Sequence, residues 1–134
     1  MDYKILSVDS AGSVSLSSGS NPERVSGIQA LVQVVLIELL SSFDPRTSRG
    51  SDLIKNANDV AIQDPSQFKS IAAKALNTAQ AHIIANQSQS QWLSTSERLI
   101  KLEMLDAKMN SGTFSLAFKL TNADNQDITV QLPL

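Results

Sequence analysis

The chain contains no cysteine, which rules out disulfide staples, thiolate metal sites and cysteine nucleophiles together. Aromatic residues make up only 4% of it, four Phe with one Trp and one Tyr. A stacking platform for sugars or bases is therefore not expected, and the core must come mainly from Leu, Ile, Val and Ala. The one histidine, His82, has no Cys, Asp or His near it at ligand spacing, so no metal site is expected. It sits at the margin of an apolar stripe and reads as a half-buried helix residue. Acidic and basic residues number 13 and 11, for a net charge of −2, with no block of one sign. Phosphate-backbone binding calls for a basic stripe, so nucleic acid is not an expected partner. Gly12, Gly19 and Gly27 are separated by Ser-rich sequence and lack a Lys-Ser/Thr pair, so neither a nucleotide nor any other cofactor is indicated. The longest apolar-rich run, Ile28 to Leu40, is broken by Gln29, Gln33 and Glu38 and falls short of the roughly 20 residues that span a membrane. Met1 to Leu6 carry Asp2 and Lys4 and no long apolar run, which is not the pattern of a signal peptide.

What remains is a chain of 134 residues, 42% hydrophobic and 18% charged, suited to one domain over residues 1–134 with a single core. Tyr3 to Val8 and Ser13 to Leu16 flank Asp9-Ser10-Ala11-Gly12, which predicts a small N-terminal hairpin. Ser15 to Asn21 reads as a flexible connection. Asn21-Pro22 has the form of an N-cap followed by proline at the first helical position, so a helix is expected from there. Its buried face would carry Ile28, Leu31, Val32, Val35, Leu36 and Leu39. Val34, Ile37 and Leu40 add apolar surface on other sides, so a second layer or a partner should cover this helix. It should end near Ser41-Ser42, ahead of Phe43-Asp44-Pro45. Ser51 to Asn56 reads as one short helical turn. Asp64-Pro65-Ser66-Gln67 repeats the start signal, and Phe68, Ile71, Ala72, Ala75, Leu76, Ala79 and Ile83 form the stripe of a second main helix.

From Leu99 the period changes from 3.6 to 2. Ile100, Leu102 and Met104 alternate with Lys101 and Glu103. Phe114, Leu116, Phe118 and Leu120 alternate with Ser115, Ala117 and Lys119, and Ile128, Val130 and Leu132 with Thr129 and Gln131. Asn110-Ser111-Gly112 and Asn122 to Asp127 supply the turns, so the strands should run antiparallel as hairpins. The expected class is α+β: two main helices packed on a C-terminal three-stranded antiparallel sheet, with a small N-terminal β element.

The order of these features resembles the sheath-initiator family of contractile injection machines, the baseplate wedge proteins of contractile-tailed bacteriophages. Gly27-Ile28-Gln29-Ala30-Leu31-Val32-Gln33 is similar to the family's glutamine-containing helix. Phe43-Asp44-Pro45 and then Gly50-Ser51-Asp52-Leu53 are similar to its loop, here with Arg46-Thr47-Ser48-Arg49 between the halves. Glu97-Arg98, directly before Leu99-Ile100-Lys101-Leu102, stands where the family has an acidic-proline-arginine signature, and this chain lacks the proline. The resemblance covers roughly residues 25–134. It implies a structural virion protein of the tail baseplate, made in the host cytoplasm and not an enzyme. Its implied partners are tail sheath, baseplate wedge and tail tube proteins, with six copies around the tube. Sheath subunits would pair strands with its sheet edges, which expose unpaired N–H and C=O groups. The residues this assigns to partner binding are Glu97 and Arg98, the loop residues Phe43, Asp44, Pro45 and Arg46, and Ile128, Thr129, Val130, Gln131 and Leu132 of the last strand.

Some relatives of this family have been labelled lysozyme-like, which raises the alternative of a peptidoglycan-cleaving enzyme. Such chemistry needs two carboxyl groups, one with a raised pKa, and Glu38 and Glu97 are the candidates. Surface or capping roles suit both better. Arg46 and Arg49 read as solvated loop cations, and Trp92, beside Leu93, as a core plug sooner than a binding hot spot, with both readings open.

Overall fold

The computed structural model describes residues 2–3, 6–8, 14–16, 24–25, 27–46, 49–60, 65–110 and 113–133. Its framework is a three-stranded antiparallel sheet in the order β5-β6-β7, formed by Leu99–Asn110, Thr113–Asn122 and Asp127–Pro133. In β6, Phe114, Leu116, Phe118 and Leu120 are buried, and β7 buries Val130 and Leu132 on the same side. β6 and β7 pair without interruption from Ser115↔Pro133 to Thr121↔Asp127. The alternation expected for these two strands is the one found.

β5 departs from expectation. Its pairing with β6 shifts register between Leu99 and Lys101 and again between Met104 and Asp106. Each shift is a bulge, in which one strand carries one residue more than its partner. The surplus residues, Ile100 and Leu105, are each 51% exposed, while Leu99, Leu102 and Ala107 are buried. Ile100 therefore does not belong to the inner face that simple alternation assigned to it. β5 has 12 residues and β6 has 10, so the two bulges account for the difference in length.

Three helices lie with this sheet: α1 (Ile28–Leu40), α2 (Leu53–Val60) and α3 (Pro65–Gln87). α3 starts at Pro65, as its start signal predicts. It packs chiefly against β5, burying Phe68, Ala72, Ala75, Leu76, Ala79 and Ile83. The Phe68 and Phe114 rings meet at 4.8 Å between centroids, tilted by 43°, joining the first turn of α3 to β6. Small residues at three of these six positions let the helix approach the sheet closely. α1, α2, α3 and all three strands contribute to one apolar cluster, in which each fully buried Leu or Phe contributes about 1.5–3 kcal/mol. α2 is longer than the single turn expected from Ser51 to Asn56.

The start of α1 differs from the reading at Asn21-Pro22. Arg24–Val25 is a strand, β4, paired with Asp2–Tyr3, β1, and the helix begins only at Ile28, with Gly27 as N-cap. Gly27 has φ 68°, a left-handed conformation that glycine adopts without penalty, and its carbonyl accepts from Leu31 N–H at 3.3 Å. The proline signal is local, and strand pairing with the N-terminus overrides it. β2 (Leu6–Val8) and β3 (Val14–Leu16) pair antiparallel over part of the expected hairpin, while Tyr3, expected in the same strand as Val8, pairs with Arg24 instead, and the turn assigned to Asp9–Gly12 lies outside the described residues. β2 runs beside α1, and β3 passes β7 without joining its ladder. Among the described residues no helix is long and apolar enough to cross a membrane.

Candidate functional site

α1 leaves Ile37 and Leu40 exposed and buries most of its other residues, including Glu38, whose side chain is 1% exposed. A buried carboxylate must be compensated by partners. Arg49 Nε donates to Oε2 at 2.7 Å, Gly50 N–H to Oε1 at 3.0 Å, and His82 Nδ1 lies 3.0 Å from Oε1. An ionised carboxylate only accepts, so Nδ1 carries the proton. Burial alone would raise the Glu38 carboxyl. The hydrogen bonds from Arg49, His82 and Gly50, with the Arg49 charge, outweigh it and hold the pKa below its ordinary value.

This cluster fixes the loop after α1. Asp44 and Arg49 form a two-residue bridge, with Asp44 N–H donating to the Arg49 carbonyl at 2.7 Å. Asp44 Oδ1 accepts from Arg46 N–H at 2.9 Å, an Asx turn at the first residue of the loop's tip. Phe43 N–H donates to Asp52 Oδ1 at 2.9 Å, and Ser51 Oγ to the Leu39 carbonyl at 2.8 Å. Gly50 has φ 96°, and a Cβ there would collide with the Ser42 carbonyl. The loop is thus sewn to α1 on both sides, leaving Phe43, Pro45 and Arg46 exposed at its tip. The Phe43 ring stacks on His82 at 6.2 Å between centroids.

Glu97 ends a 3-10 turn, Thr95–Glu97, and Arg98 follows it; both side chains turn back onto the helices. Glu97 Oε1 accepts from Gly27 N–H at 3.2 Å, placing an acid at the N-terminus of α1. Arg98 donates to three carbonyls: Gln87 at 3.0 Å, Ser90 at 2.7 Å and Leu93 at 3.3 Å. Gln87 ends α3, so this cation occupies the helix's C-terminal end. Each charge has the sign that the adjacent helix dipole favours. The pair assigned to a partner contact therefore serves as two caps at once. A cavity of about 120 Å³ lies between these caps, with Leu31, Val34, Ile83 and Leu93 among its walls and Arg49 and Glu97 at its margins.

At the same end of the sheet, buried Asn122, opposite Leu99, organises the β6–β7 turn. Its Nδ2 donates to the Ser96 carbonyl at 3.0 Å and to Gln126 Oε1 at 2.9 Å, and its Oδ1 accepts from the N–H groups of Asp124 and Gln126. Ala123 N–H donates to the Arg98 carbonyl at 2.9 Å. The turn and the Glu97-Arg98 corner are one unit.

In the last strand, Thr129 and Gln131 are exposed, Ile128 is half-buried, and Val130 and Leu132 are core residues. Three groups of candidate residues emerge: the loop tip, the double-capping corner and the β7 edge. The loop tip and the corner are joined through α1, which carries Glu38 near one end and receives Glu97 at the other. Sequence reasoning missed the Glu38–Arg49–His82 cluster, whose one signal was an acid within an otherwise uncharged, largely apolar helix. It also missed Trp92, which is 82% exposed and plugs nothing, because it follows the helix end in a turn. No group of three or more His, Cys, Asp or Glu residues that could hold a metal occurs among the described residues. No protein-family model matches the chain, and no curated protein or solved structure matches it.

Proposed function

We propose that the chain is a structural subunit of a contractile tail baseplate, which templates sheath assembly by offering sheet edges to the first ring of sheath subunits. The observation that carries this reading is the β7 edge. It is a regular strand with one face packed into the core and exposed Thr129 and Gln131 on the other, and its pairing among the described residues is with β6 alone. Unpaired main-chain groups along such an edge bind an added strand with little side-chain chemistry. Ile128 to Leu132 would meet the sheath. The loop tip, Phe43 to Arg46, would meet a neighbouring wedge or tube protein. Glu97 and Arg98 act as positioning residues that hold the sheet against the helices, so that the edge is presented rigidly.

The glycan-cleaving alternative needs a carboxyl with a raised pKa facing a cleft. Glu38 is buried, receives three hydrogen-bonding partners and has a lowered pKa, which suits an anchor and not a general acid. The test is assembly. Thr129→Pro, or deletion of residues 128–134, should yield baseplates without sheath in electron micrographs of assembled particles. Sheaths of normal length on those particles would overturn the reading.

A further inference from the structure

α1 and the end of α3 leave a hollow between them whose two ends carry opposite charges. Gly27, Leu31, Val34 and Glu38 follow one another at helical spacing, so they share one face of α1 and its N-cap. At one end of this row Glu97 is held by the Gly27 N–H, and at the other Arg49 is held by Glu38. Both charged side chains, with Leu31 and Val34, line the cavity of about 120 Å³, which Ile83 and Leu93 wall from the other side. Gly27 and Glu38 stand eleven positions apart, roughly 16 Å of helix, and the two charged side chains that they hold line the hollow between them.

Each charge spends only part of itself on the fold. Arg49 uses Nε on Glu38, and Glu97 uses Oε1 on Gly27. Among the described residues, neither the Nη groups of Arg49 nor Oε2 of Glu97 has a hydrogen-bond partner. Gln87, also on the wall, spends its amide on Leu99. Free guanidinium nitrogens take up a carboxylate, and a free carboxylate oxygen takes up an ammonium. Between the two ends the walls are aliphatic, and a cavity of this size holds a body of about five or six carbons. We propose that the hollow binds a small linear zwitterion, an ω-amino carboxylate. Its carboxylate meets Arg49, its ammonium meets Glu97, and its methylene chain lies along Leu31, Val34, Ile83 and Leu93. An α-amino acid, whose charges sit side by side, reaches one end only, as does a simple acid or amine. The site does not depend on the templating role proposed above.

The test titrates the full chain with 6-aminohexanoate, and with hexanoate, hexylamine and leucine for comparison, and follows the methyl groups by NMR. Saturable shifts at Leu31, Val34, Ile83 and Leu93 are expected. 6-Aminohexanoate should bind about tenfold or more tighter than the other three, because each of those reaches only one of the two charges. Glu97→Gln keeps an oxygen for the Gly27 N–H and loses the charge. It should weaken 6-aminohexanoate to the level of hexanoate and leave hexanoate itself unchanged. Val34→Phe fills the hollow and should abolish the binding of all four compounds in a protein whose circular dichroism matches wild type. An absence of methyl shifts in the wild-type protein, equal affinities for the four compounds, or an unchanged affinity for 6-aminohexanoate in Glu97→Gln overturns the proposal.

Discussion

The side chain of Gln87 bonds to Leu99 as a neighbouring strand would. It accepts from the Leu99 N–H at 2.8 Å and donates to the Leu99 carbonyl at 2.9 Å, although Gln87 is the last residue of a helix. One amide thereby satisfies both main-chain groups of the first residue in the sheet.

Gln87→Ala should remove both bonds and cost about 1–3 kcal/mol. Gln87→Glu should be no better, because a carboxylate cannot donate to the Leu99 carbonyl. Urea unfolding of the three proteins measures this, and a glutamate variant as stable as wild type would contradict the assignment of the two bonds.

Arg98→Ala should lose three charge-assisted bonds to carbonyls and destabilise the fold by about 3 kcal/mol. Arg98→Lys should recover little, since one ammonium cannot reach the carbonyls of Gln87, Ser90 and Leu93 as a planar fork does. Denaturation midpoints decide, and full rescue by lysine would mean that only the charge matters.

Arg49→Met should cost about 1–3 kcal/mol at neutral pH, because it strips the main counter-charge from a buried carboxylate, while the 42% exposure of Arg49 itself keeps the loss below that of a fully buried pair. The pH dependence has a definite sign. Glu38 has a lowered pKa in the folded protein, so its contribution is complete above the ordinary value of 4.5 and drains as pH falls below that, through the native value. Glu38→Gln should therefore be less stable than wild type at neutral pH and show a shallower loss in acid. Stability curves of the two that remain parallel below 4.5 would refute the linkage.

Gly50→Ala should be strongly destabilising. A positive φ for a residue with a Cβ costs about 1–3 kcal/mol, and contact with the Ser42 carbonyl adds to it. The loss should appear as a lower melting temperature.

Trp92→Ser should leave stability within about 0.5 kcal/mol of wild type, because its side chain is largely in solvent. A large loss on thermal melting would show that the indole packs against the chain in solution.

Where the sequence carried one clear period, the structure could be read from it. The α3 stripe from Phe68 to Ile83 and the alternation in β6 and β7 are the buried sets observed, except that Ile71 and Ile128 are only half-buried. β5 could not be read this way, because apolar residues occupy both phases and nothing in Leu99-Ile100 says which of the two is surplus; pairing with β6 decides. The start of α1 was misread because a proline signal acts over a few residues, whereas Arg24–Val25 pairs with Asp2–Tyr3. The candidate site was harder still. Glu97 reaches Gly27 across 70 residues, and Glu38 reaches His82 across 44. No local pattern encodes such meetings, and the charged corner that looked like a partner contact is legible as a pair of caps only once both helix ends are in place.

The surplus residues of β5 give this part of the chain an unusual tolerance to shortening. Deleting Ile100 or Leu105 would remove a residue that has no partner in β6 and leave every other pairing in place. The same loss within β7, where each residue from Asp127 to Pro133 has its partner, would throw the remainder of the strand onto the opposite face. Single-codon deletions should therefore be silent at two points of the first long strand and ruinous in the last, so that the reading frame of the sheet has slack at one edge and none at the other.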